Sequence, residues 1–347
     1  MVVDTGSADD TPRLAAGAGA RVSTYPWADD FSAARNHALD QVRAQWVLYV
    51  DADERVSVPS PAALRAALAG ATGTVAFRVP FRATVGSTPY LEMRLWRHRP
   101  DIRFAGRMHE SVVEAIVAAA QRDGLDVGVA PLEIQHLGYE GDLVHKHVRN
   151  LPLLEAQLAV DPRRVYLWEE LGLAHRGLGH HDEAVAAWWE GVRLIRADGL
   201  GAVGDASVYA HLVGALRAQG EAVGPLIAEL SSVAPAYRFG WWLVAQSAAD
   251  EGRWADAVGP LRQLLAQDPD RPGSDGAGED RRLFGEWAWH QLGICLFQLG
   301  RDAEAADAFE HALAAAPGSL EYRAKAAAAR HRAERSAVAA TPEPQGG

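Results

Sequence analysis

The spacing of apolar residues divides the chain into two regions. Up to about residue 139, short apolar runs alternate with helical segments, as α/β folds require. The sequence predicts helices at 12–20 and 31–44, a buried strand at 46–50 and alternating strands at 75–82 and 91–95. Pro80 further indicates an edge strand or a bulge. Beyond about residue 142 the strand patterns stop and helical periodicity predicts an all-α region.

The all-α region contains a recurring pattern of large residues, Gly and Ala. One copy comprises Trp289, Leu292, Gly293, Leu296, Ala305, Phe309 and Pro317, and another comprises Trp168, Leu171, Gly172, His175, Ala184 and Trp188. This spacing is that of the tetratricopeptide repeat, in which small residues let two antiparallel helices approach. A looser copy contains Trp241, Ala257, Leu261 and Pro269, and a degenerate one is expected at 209–235.

These patterns predict four segments. The α/β domain is expected at 1–142, a connecting helix at 143–164, the repeat domain at 165–335 and a disordered tail at 336–347. Within the repeat domain, the stretch 268–280 is rich in Pro, Gly and Asp and is predicted to be a loop.

Composition and charge exclude several classes of protein. With 347 residues, of which 48% are hydrophobic, the chain can form two folded domains. The net charge of −11 argues against a general nucleic-acid binder, which needs a surplus of Lys and Arg. The single cysteine, Cys295, excludes an internal disulfide and fits a reducing compartment. No transmembrane or secretory segment is visible, so we expect a cytoplasmic protein, with peripheral attachment to the inner membrane face left open.

An acidic cluster follows the apolar run at 46–50. Asp51, Asp53 and Glu54 place three carboxylates within four positions. On an extended segment alternate side chains point to the same side, so Asp51 and Asp53 are expected to converge on one ion. Hard oxygen ligands suit Mg²⁺ or Mn²⁺, which also bridge to substrate phosphates. The alternative is a solvated acidic turn in which Glu54 starts a helix or pairs with Arg55.

Further motifs occur in a fixed order along the chain. They are Val2-Val3-Asp4-Thr5-Gly6-Ser7, Trp27-Ala28-Asp29-Asp30-Phe31-Ser32-Ala33-Ala34-Arg35-Asn36, Gly106-Arg107-Met108-His109-Glu110, Ile134-Gln135-His136-Leu137-Gly138-Tyr139 and His147-Val148-Arg149-Asn150-Leu151. Together with Asp51-Ala52-Asp53-Glu54 they resemble family-2 glycosyltransferases of the GT-A fold, in particular the bacterial branch with C-terminal tetratricopeptide repeats. The resemblance covers nearly the whole chain and implies a GT-A-like α/β domain followed by a tetratricopeptide solenoid.

The resemblance implies roles for the matched residues. Asp4 would contact the base or ribose of the donor nucleotide, and Arg35 would lie against the base or the diphosphate. Asp51 would lie near the ribose and the metal, Asp53 would be the direct metal ligand, and His136 would complete the metal shell. The implied cofactor is Mn²⁺ or Mg²⁺, and the implied donor is a nucleotide-diphosphate sugar. The structural alternatives are a turn aspartate at Asp4, a solvated helix arginine at Arg35 and a buried structural histidine at His136.

Glu110 is the candidate general base. An inverting transfer needs a group that takes the acceptor's proton as the sugar carbon is attacked, and His109 competes for this role. The alternative is that both residues begin a helix at 111–120, where a Glu favours the positive helix end. Replacing Glu110 with Gln is expected from the sequence to abolish transfer and leave donor binding nearly intact.

A basic run lies between these motifs. It consists of Arg94, Arg97, Arg99, Arg103 and Arg107. The forked guanidinium group matches phosphate geometry, so a donor diphosphate or an anionic acceptor could be bound here. Most of the run is expected to be solvated or paired with nearby acids, and Arg94 and Arg107 are the expected exceptions.

Members of the family normally begin with a first strand and helix, including an Asn-Glu pair, before the segment matched by Val2-Val3-Asp4. That unit is absent here, which is expected to leave an unpaired sheet edge. Either the start codon is assigned too late or the chain is a degenerate remnant. The DNA upstream of Met1 would distinguish these two explanations.

The sequence favours a metal-dependent, inverting glycosyltransferase of the hexosyl type, with the repeats as a platform for a protein, peptide or glycan acceptor. The rival interpretation is a non-catalytic scaffold, in which the repeats bind a partner and the α/β part merely folds. A nucleotidyltransferase would share the fold type, but the G-x-x-H-E and H-x-G-Y segments speak against it. Metal-dependent release of nucleotide from a sugar nucleotide separates the enzyme from the scaffold.

Overall fold

The computed structural model describes residues 1–137, 144–272 and 278–339. Within these ranges the chain forms two units. The first consists of Met1–Val85 and Tyr90–Leu194, and the second consists of Gly86–Pro89 and the chain from Ile195 onward. The predicted fold class is confirmed, because a region of strands and helices is followed by a helical solenoid. The domain boundaries predicted from the sequence stay predictions.

The first unit contains all the strands of the described residues and the first seven helices. The strands are β1 (Val2–Asp4), β2 (Val22–Thr24), β3 (Trp46–Leu48), β4 (Glu54–Ser57), β5 (Thr74–Arg82), β6 (Tyr90–Arg97), β7 (Asp126–Val129) and β8 (Glu133–His136). The helices are α1 (Thr11–Gly17), α2 (Phe31–Asp40), α3 (Pro61–Gly70), α4 (Val113–Asp123), α5 (Val144–Val160), α6 (Val165–Gly177) and α7 (His181–Asp198), with α7 from Ile195 onward counted in the second unit.

β5 is the central strand of a six-stranded sheet with the order β3-β6-β5-β8-β4, in which β7 also pairs with β5. The prediction from Pro80 that this strand lies at an edge is therefore wrong. The alternative, a bulge, is present between Phe77 and Arg78. Pro80 lies after Arg78, where pairing with β7 ends, and before Phe81, where pairing with β8 begins. Its missing N–H is tolerated at this junction. β1 and β2 form a separate parallel pair.

Three hydrophobic clusters build the first unit. Two of them lie on the large sheet, one around Trp96 and Ile116 and the other around Phe81 and Ile134. The third joins Met108, in the loop before α4, to apolar residues of α5, α6 and α7; these are Leu154, Leu158, Leu167, Leu171, Ala174 and Ala187. Burying this apolar surface stabilises the attachment of the first helices to the α/β part, within one unit.

The second unit is built from successive packed helices. They are α8 (Ser207–Ala218), α9 (Gly224–Val233), α10 (Arg238–Asp250), α11 (Trp254–Leu265), α12 (Glu286–Gln298), α13 (Asp302–Ala315) and α14 (Leu320–Ala339). Short 3₁₀ turns at Val203–Ala206 and Arg281–Phe284 precede α8 and α12. A Cβ atom on Gly293 would lie 2.6 Å from the Phe309 ring, so only Gly fits this close helix contact. Gly172 meets Trp188 in the same way in the first unit, which confirms the role of the small residues.

Some elements end earlier than the sequence predicts. α1 ends at Gly17 and α2 at Asp40, and the strand predicted at 46–50 ends at Leu48 because the chain then turns. Leu48 and Val50 are 37% and 38% exposed, so this run is not a fully buried strand. The predicted tail at 336–347 overlaps α14 up to Ala339, and the rest lies outside the described residues. In the described ranges, none of the helices has the length and hydrophobicity that a bilayer-spanning segment needs.

Candidate active site

A cleft of about 1320 Å³ opens in the first unit. It is lined by residues of α2, β5, β6 and β8, by the segment between β3 and β4, by the loop before α4, and by α5 and α6. Seven residues predicted from the sequence line it: Arg35, Asp51, Asp53, Arg94, His109, Glu110 and His136. Side chains that are far apart in the sequence therefore meet in one cavity.

The acidic run forms a turn rather than an extended segment. The backbone N–H of Glu54 donates to the carbonyl of Asp51 at 3.1 Å, and β4 begins at Glu54. Each of the three carboxylates has a different nitrogen-bearing partner, which is Arg35 for Asp51, His136 for Asp53 and Arg94 for Glu54. The side-chain alternation of a strand ends at this turn, so the convergence of Asp51 and Asp53 on one ion stays a prediction.

Arg35 is held between two carboxylates. Its Nη1 lies 3.0 Å from Oδ1 of Asp51, and its Nε donates to Oε1 of Glu110. The Tyr49 hydroxyl donates to Oδ2 of Asp51 at 2.7 Å, and the guanidinium carbon lies 4.0 Å from the Tyr49 ring centroid. Burial by itself would raise the pKa of Asp51, but Arg35 and Tyr49 outweigh burial and lower it. Asp51 is therefore held ionised with both oxygens engaged.

Residues near Arg35 in the sequence fix the position of its side chain. Asp30 caps α2 by accepting a hydrogen bond from the backbone three residues on, at 2.9 Å. The side-chain amide of Asn36 exchanges two hydrogen bonds of 2.9 Å with the backbone of Phe104. These contacts fix α2 to the loop that leads to Glu110, and so fix Arg35 against its carboxylate.

Asp53 and His136 form the contact that fits a metal site. Nδ1 of His136 lies 3.2 Å from the carbonyl oxygen of Ala83, so Nδ1 carries the hydrogen of that bond. Nε2 then faces Oδ2 of Asp53 at 3.1 Å. In a neutral imidazole this would set acceptor against acceptor, so the contact requires a protonated ring or a cation between the two atoms. A backbone carbonyl on the second nitrogen is also the usual arrangement behind a metal-bound histidine.

This site offers two protein ligands. Among residues 1–137, 144–272 and 278–339, no group of three His, Cys, Asp or Glu side chains could hold a metal ion. A pair suits a cation such as Mg²⁺, which is commonly bound by one or two carboxylates together with substrate phosphates. Asp53 and His136 therefore fit a cation whose remaining ligands come from a phosphorylated substrate and water. The role of Asp51 as a metal ligand stays a prediction.

Glu54 and Arg94 form a buried ion pair beside this turn. Nη2 of Arg94 lies 3.0 Å from Oε1 of Glu54, and the two side chains are only 8% and 1% exposed. Nε of Arg94 also lies 2.6 Å from Glu92, and its guanidinium carbon is 4.4 Å from the centroid of Tyr49 and 4.7 Å from that of Phe81. Burial raises the pKa of Glu54 and outweighs the opposing effect of Arg94. Glu54 thus shapes the turn from inside rather than starting a helix.

A second polar group comes from the loop before α4 and from α6. The Tyr166 hydroxyl lies 3.1 Å from Nδ1 of His109, and the buried Nε2 of His109 lies 3.6 Å from Oε2 of Glu170. His109 has a φ of 49°, in the left-handed region that non-glycine residues rarely occupy and that is enriched at functional sites. Burial, together with the charges of Arg164 and Lys146, lowers the pKa of His109 to about 4, so its ring is neutral near pH 7.

Two predicted site residues lie elsewhere. The carboxylate of Asp4 accepts hydrogen bonds of 3.2 Å from the amides of Gly6 and Ser7 and so closes its own turn. A hydrogen bond from the Ser7 side chain, together with these backbone bonds, lowers the pKa of Asp4. The side chain of Arg107 is exposed. Neither residue is among the described residues that line the cleft. The other three arginines of the basic run have local partners. Arg97 donates to the carbonyl of Thr74, Arg99 pairs with Asp101, and Arg103 pairs with Asp40.

Sequence reasoning missed part of the cleft. The missed lining residues include Tyr90, Glu92, His145, Lys146, Arg149, Arg164, Tyr166 and Glu170. One signal was available for Glu92, because Glu92 and Arg94 are polar residues two positions apart in an apolar strand and therefore share a face. Apart from Arg149, which lies in the motif at 147–151, the residues of α5 and α6 gave no signal, since a polar position on a helix most often faces solvent.

Two family models match the chain. Residues 1–127 match the model described as Glycosyl transferase family 2, and residues 287–319 match the Tetratricopeptide repeat. The first match includes the acidic turn, Arg35 and Glu110, and the second includes Gly293 and Phe309. Gly138 and Tyr139, the end of one predicted motif, lie outside the described residues.

The names of similar proteins refer either to TPR repeats or to a glycosyltransferase. The chain is 38% identical over 180 residues to a TPR repeat-containing protein of Synechococcus elongatus, a match that covers 50% of this chain and 44% of the relative. It is 24% identical over 178 residues to the SPbeta prophage-derived glycosyltransferase SunS of Bacillus subtilis, covering 47% of this chain and 39% of the relative. These matches span less than half of the relatives' own lengths. YrrB, a TPR protein with an unusual peptide-binding site, overlaps 54% of this chain and 85% of its own with 14% identity and a TM-score of 0.39.

The α/β part of the first unit therefore matches the model of a family-2 glycosyltransferase domain. Downstream of it, residues 287–319 match a tetratricopeptide repeat. The resemblance noted in the sequence is confirmed in both parts.

Proposed function

We propose that the chain is a metal-dependent, inverting glycosyltransferase that uses a nucleotide-diphosphate sugar. The observation that carries this proposal is the contact of 3.1 Å between Asp53 and Nε2 of His136, with Nδ1 held by a backbone carbonyl. It lies in the cleft of the first unit, which is also lined by the half-buried Arg35 and the buried Arg94. An anionic diphosphate suits this combination, because guanidinium groups match phosphate geometry.

Each part of the cleft has a proposed task. Asp53 and His136 would hold Mn²⁺ or Mg²⁺, which would neutralise charge on the leaving diphosphate. Arg35, kept in place by Asp51, would lie against the nucleotide, together with Arg94. Asp4 and Arg107, although outside the cleft lining, remain proposed donor contacts from the family resemblance. Glu110 and His109 are proposed to face the acceptor, which attacks the sugar carbon opposite the leaving group.

The repeats are proposed to bind a protein, peptide or glycan acceptor, since stacked helix pairs form extended binding surfaces. The competing function is a scaffold whose transferase domain is inactive. The relative named as a TPR repeat-containing protein, which is 38% identical to this chain, keeps that alternative open. A cytoplasmic location remains part of the proposal.

Nucleotide binding tests the proposal directly. Calorimetric titration of the full chain with UDP, GDP and dTDP is expected to show binding of at least one of them when MnCl₂ is present. The same titration with EDTA in place of MnCl₂ is expected to show much weaker binding, because the cation that neutralises the diphosphate is then missing. Failure of all three nucleotides to bind in MnCl₂ would favour the scaffold.

A further inference from the structure

Three polar side chains meet where α6 borders the cleft. Tyr166 and Glu170 lie one turn apart on α6, and His109 reaches them from the loop before α4. The Tyr166 hydroxyl is 3.1 Å from Nδ1 of His109, and Oε2 of Glu170 is 3.6 Å from Nε2 of the same ring. The side chain of Glu170 is 27% exposed, so its carboxylate is accessible from the cleft. The first helix pair thus contributes a titratable group to the transferase site.

Glu170 differs in its partners from the cleft carboxylates that contact arginine. Asp51 and Glu110 contact Arg35, and Glu54 contacts Arg94. Among the described residues, the nitrogen partner recorded for Glu170 is His109, whose ring is neutral near pH 7. A carboxylate in contact with a guanidinium holds a proton weakly, whereas one whose nitrogen contact is a neutral imidazole is the stronger base.

The charged and titratable groups around Glu170 act in both directions. Burial and the charge of Glu169 raise the pKa of Glu170 to about 7, while a hydrogen bond from Tyr166 and the charge of Lys146 on α5 oppose this rise. His109 faces it from the loop before α4 and is itself affected by Arg164. A general base works best when its pKa lies near the operating pH.

We infer that Glu170 is the group that takes the proton of the acceptor, and that Tyr166 and His109 position it. In this step the acceptor's O–H bond breaks and its proton moves to the Glu170 carboxylate. The acceptor oxygen forms a bond to the anomeric carbon, and the bond from that carbon to the diphosphate breaks. Its electron pair leaves with the nucleoside diphosphate. The inference rests on the proposed glycosyl transfer and assigns the base to the first repeat helix.

The test compares two carboxylates with water as the acceptor. Hydrolysis of UDP-glucose, UDP-N-acetylglucosamine and GDP-mannose is measured with MnCl₂ for the unsubstituted chain, Glu170→Gln and Glu110→Gln. The exposed Glu183→Gln on α7 is the matched control, since Glu183 lies outside the cleft lining. Glu170→Gln is expected to lower the rate by about 10²–10⁴-fold, the usual contribution of a general base, while Glu183→Gln retains the full rate.

The pH profile separates a base from a merely structural residue. The rate of the unsubstituted chain is expected to fall below a pH of about 7, as the Glu170 carboxylate becomes protonated. Glu110→Gln is expected to keep this acid limb, that is, the fall in rate below a pH of about 7. Tyr166→Phe removes a hydrogen bond that lowers the pKa of Glu170, so the limb should move to higher pH. Because Tyr166→Phe keeps the carboxylate, it decides the question even if Glu170→Gln folds poorly.

Three results would overturn the inference, and they are distinguishable. If the unsubstituted chain hydrolyses a donor and Glu170→Gln does so equally well, while Glu110→Gln is inactive, the base is Glu110 and the proposed function stands. An acid limb near pH 4 that Tyr166→Phe does not move would assign the base to His109 instead. If the unsubstituted chain hydrolyses none of the three donors, the proposed function fails together with the inference.

Discussion

Replacing Asp53 with Asn is expected to remove manganese-dependent nucleotide release almost completely. Asn keeps the size of the side chain but loses the negative charge that faces His136 at 3.1 Å. Removing a partner behind a metal ligand typically costs about 10–100-fold, so the loss of a direct ligand should cost at least about 100-fold. The measurement is the rate of nucleotide release from a sugar nucleotide at a fixed MnCl₂ concentration.

The fold should be nearly unaffected by this change, because the Asp53 side chain is 50% exposed and an exposed ion pair contributes little to stability. Binding of MnCl₂ with a nucleoside diphosphate should raise the melting temperature of the unsubstituted chain, whereas Asp53→Asn should show no such rise. Asp126→Asn, at an exposed position on β7, is the matched control and should behave like the unsubstituted chain. A full rate for Asp53→Asn would remove Asp53 from the metal site.

Replacing Arg94 with Met should strongly destabilise the first unit. Met fills part of the volume but leaves Glu54, whose side chain is 1% exposed, without a cation, and it releases Glu92. Breaking a buried ion pair on one side costs about 3–5 kcal/mol. Urea denaturation of the unsubstituted and variant chains measures the difference in the free energy of unfolding. Arg99→Met, which breaks more exposed pairs with Asp101 and Asp123, should cost less than about 1 kcal/mol.

The loss in free energy of unfolding caused by Arg94→Met should increase as the pH rises. The pKa of Glu54 is already raised in the folded chain by burial, and without Arg94 it should rise further. A carboxyl group with a raised folded pKa favours the folded state below its unfolded pKa and loses that stability as pH rises. The variant should therefore be least stable, relative to the unsubstituted chain, at about pH 8, and the difference should shrink towards about pH 5.

A second substitution tests the cause of that loss. Glu54→Gln combined with Arg94→Met removes the buried charge while keeping an acceptor for the Asp51 amide, which lies 2.8 Å from the Glu54 carboxylate. The double variant should recover most of the lost stability, since replacing both partners of a buried pair is far less costly than removing one. An equally unstable double variant, or a loss that is the same at both pH values, would contradict this account.

The elements with a strong sequence period were predicted well. The alternating residues at 75–82 lie in β5 (Thr74–Arg82), and Gly293 and Phe309 pack as the repeat pattern requires. The run at 46–50 was misjudged because five apolar residues look like a buried strand, whereas the chain turns after Leu48. That turn contains Asp51 and Asp53, and no periodic pattern in the sequence predicts it.

The candidate site was predictable where motifs are local. Arg35, Asp53 and Glu110 were singled out from short motifs, and the structure brings them into one cleft. The contact of Glu170 with His109 joins residues 61 positions apart, across two regions of different fold class. On a helix, Glu170 has the pattern of a solvated residue, so only the tertiary packing of α6 against the loop before α4 reveals its place in the cleft.

Nucleotide release from sugar nucleotides shows whether the chain catalyses glycosyl transfer. The full chain is incubated with UDP-glucose, UDP-N-acetylglucosamine or GDP-mannose in the presence of MnCl₂, and the free nucleoside diphosphate is measured over time. Catalytic release from at least one donor, abolished by EDTA and by Asp53→Asn, is the predicted result. Release at the uncatalysed rate from all three, with the chain folded and MnCl₂ present, would contradict the proposed glycosyl transfer.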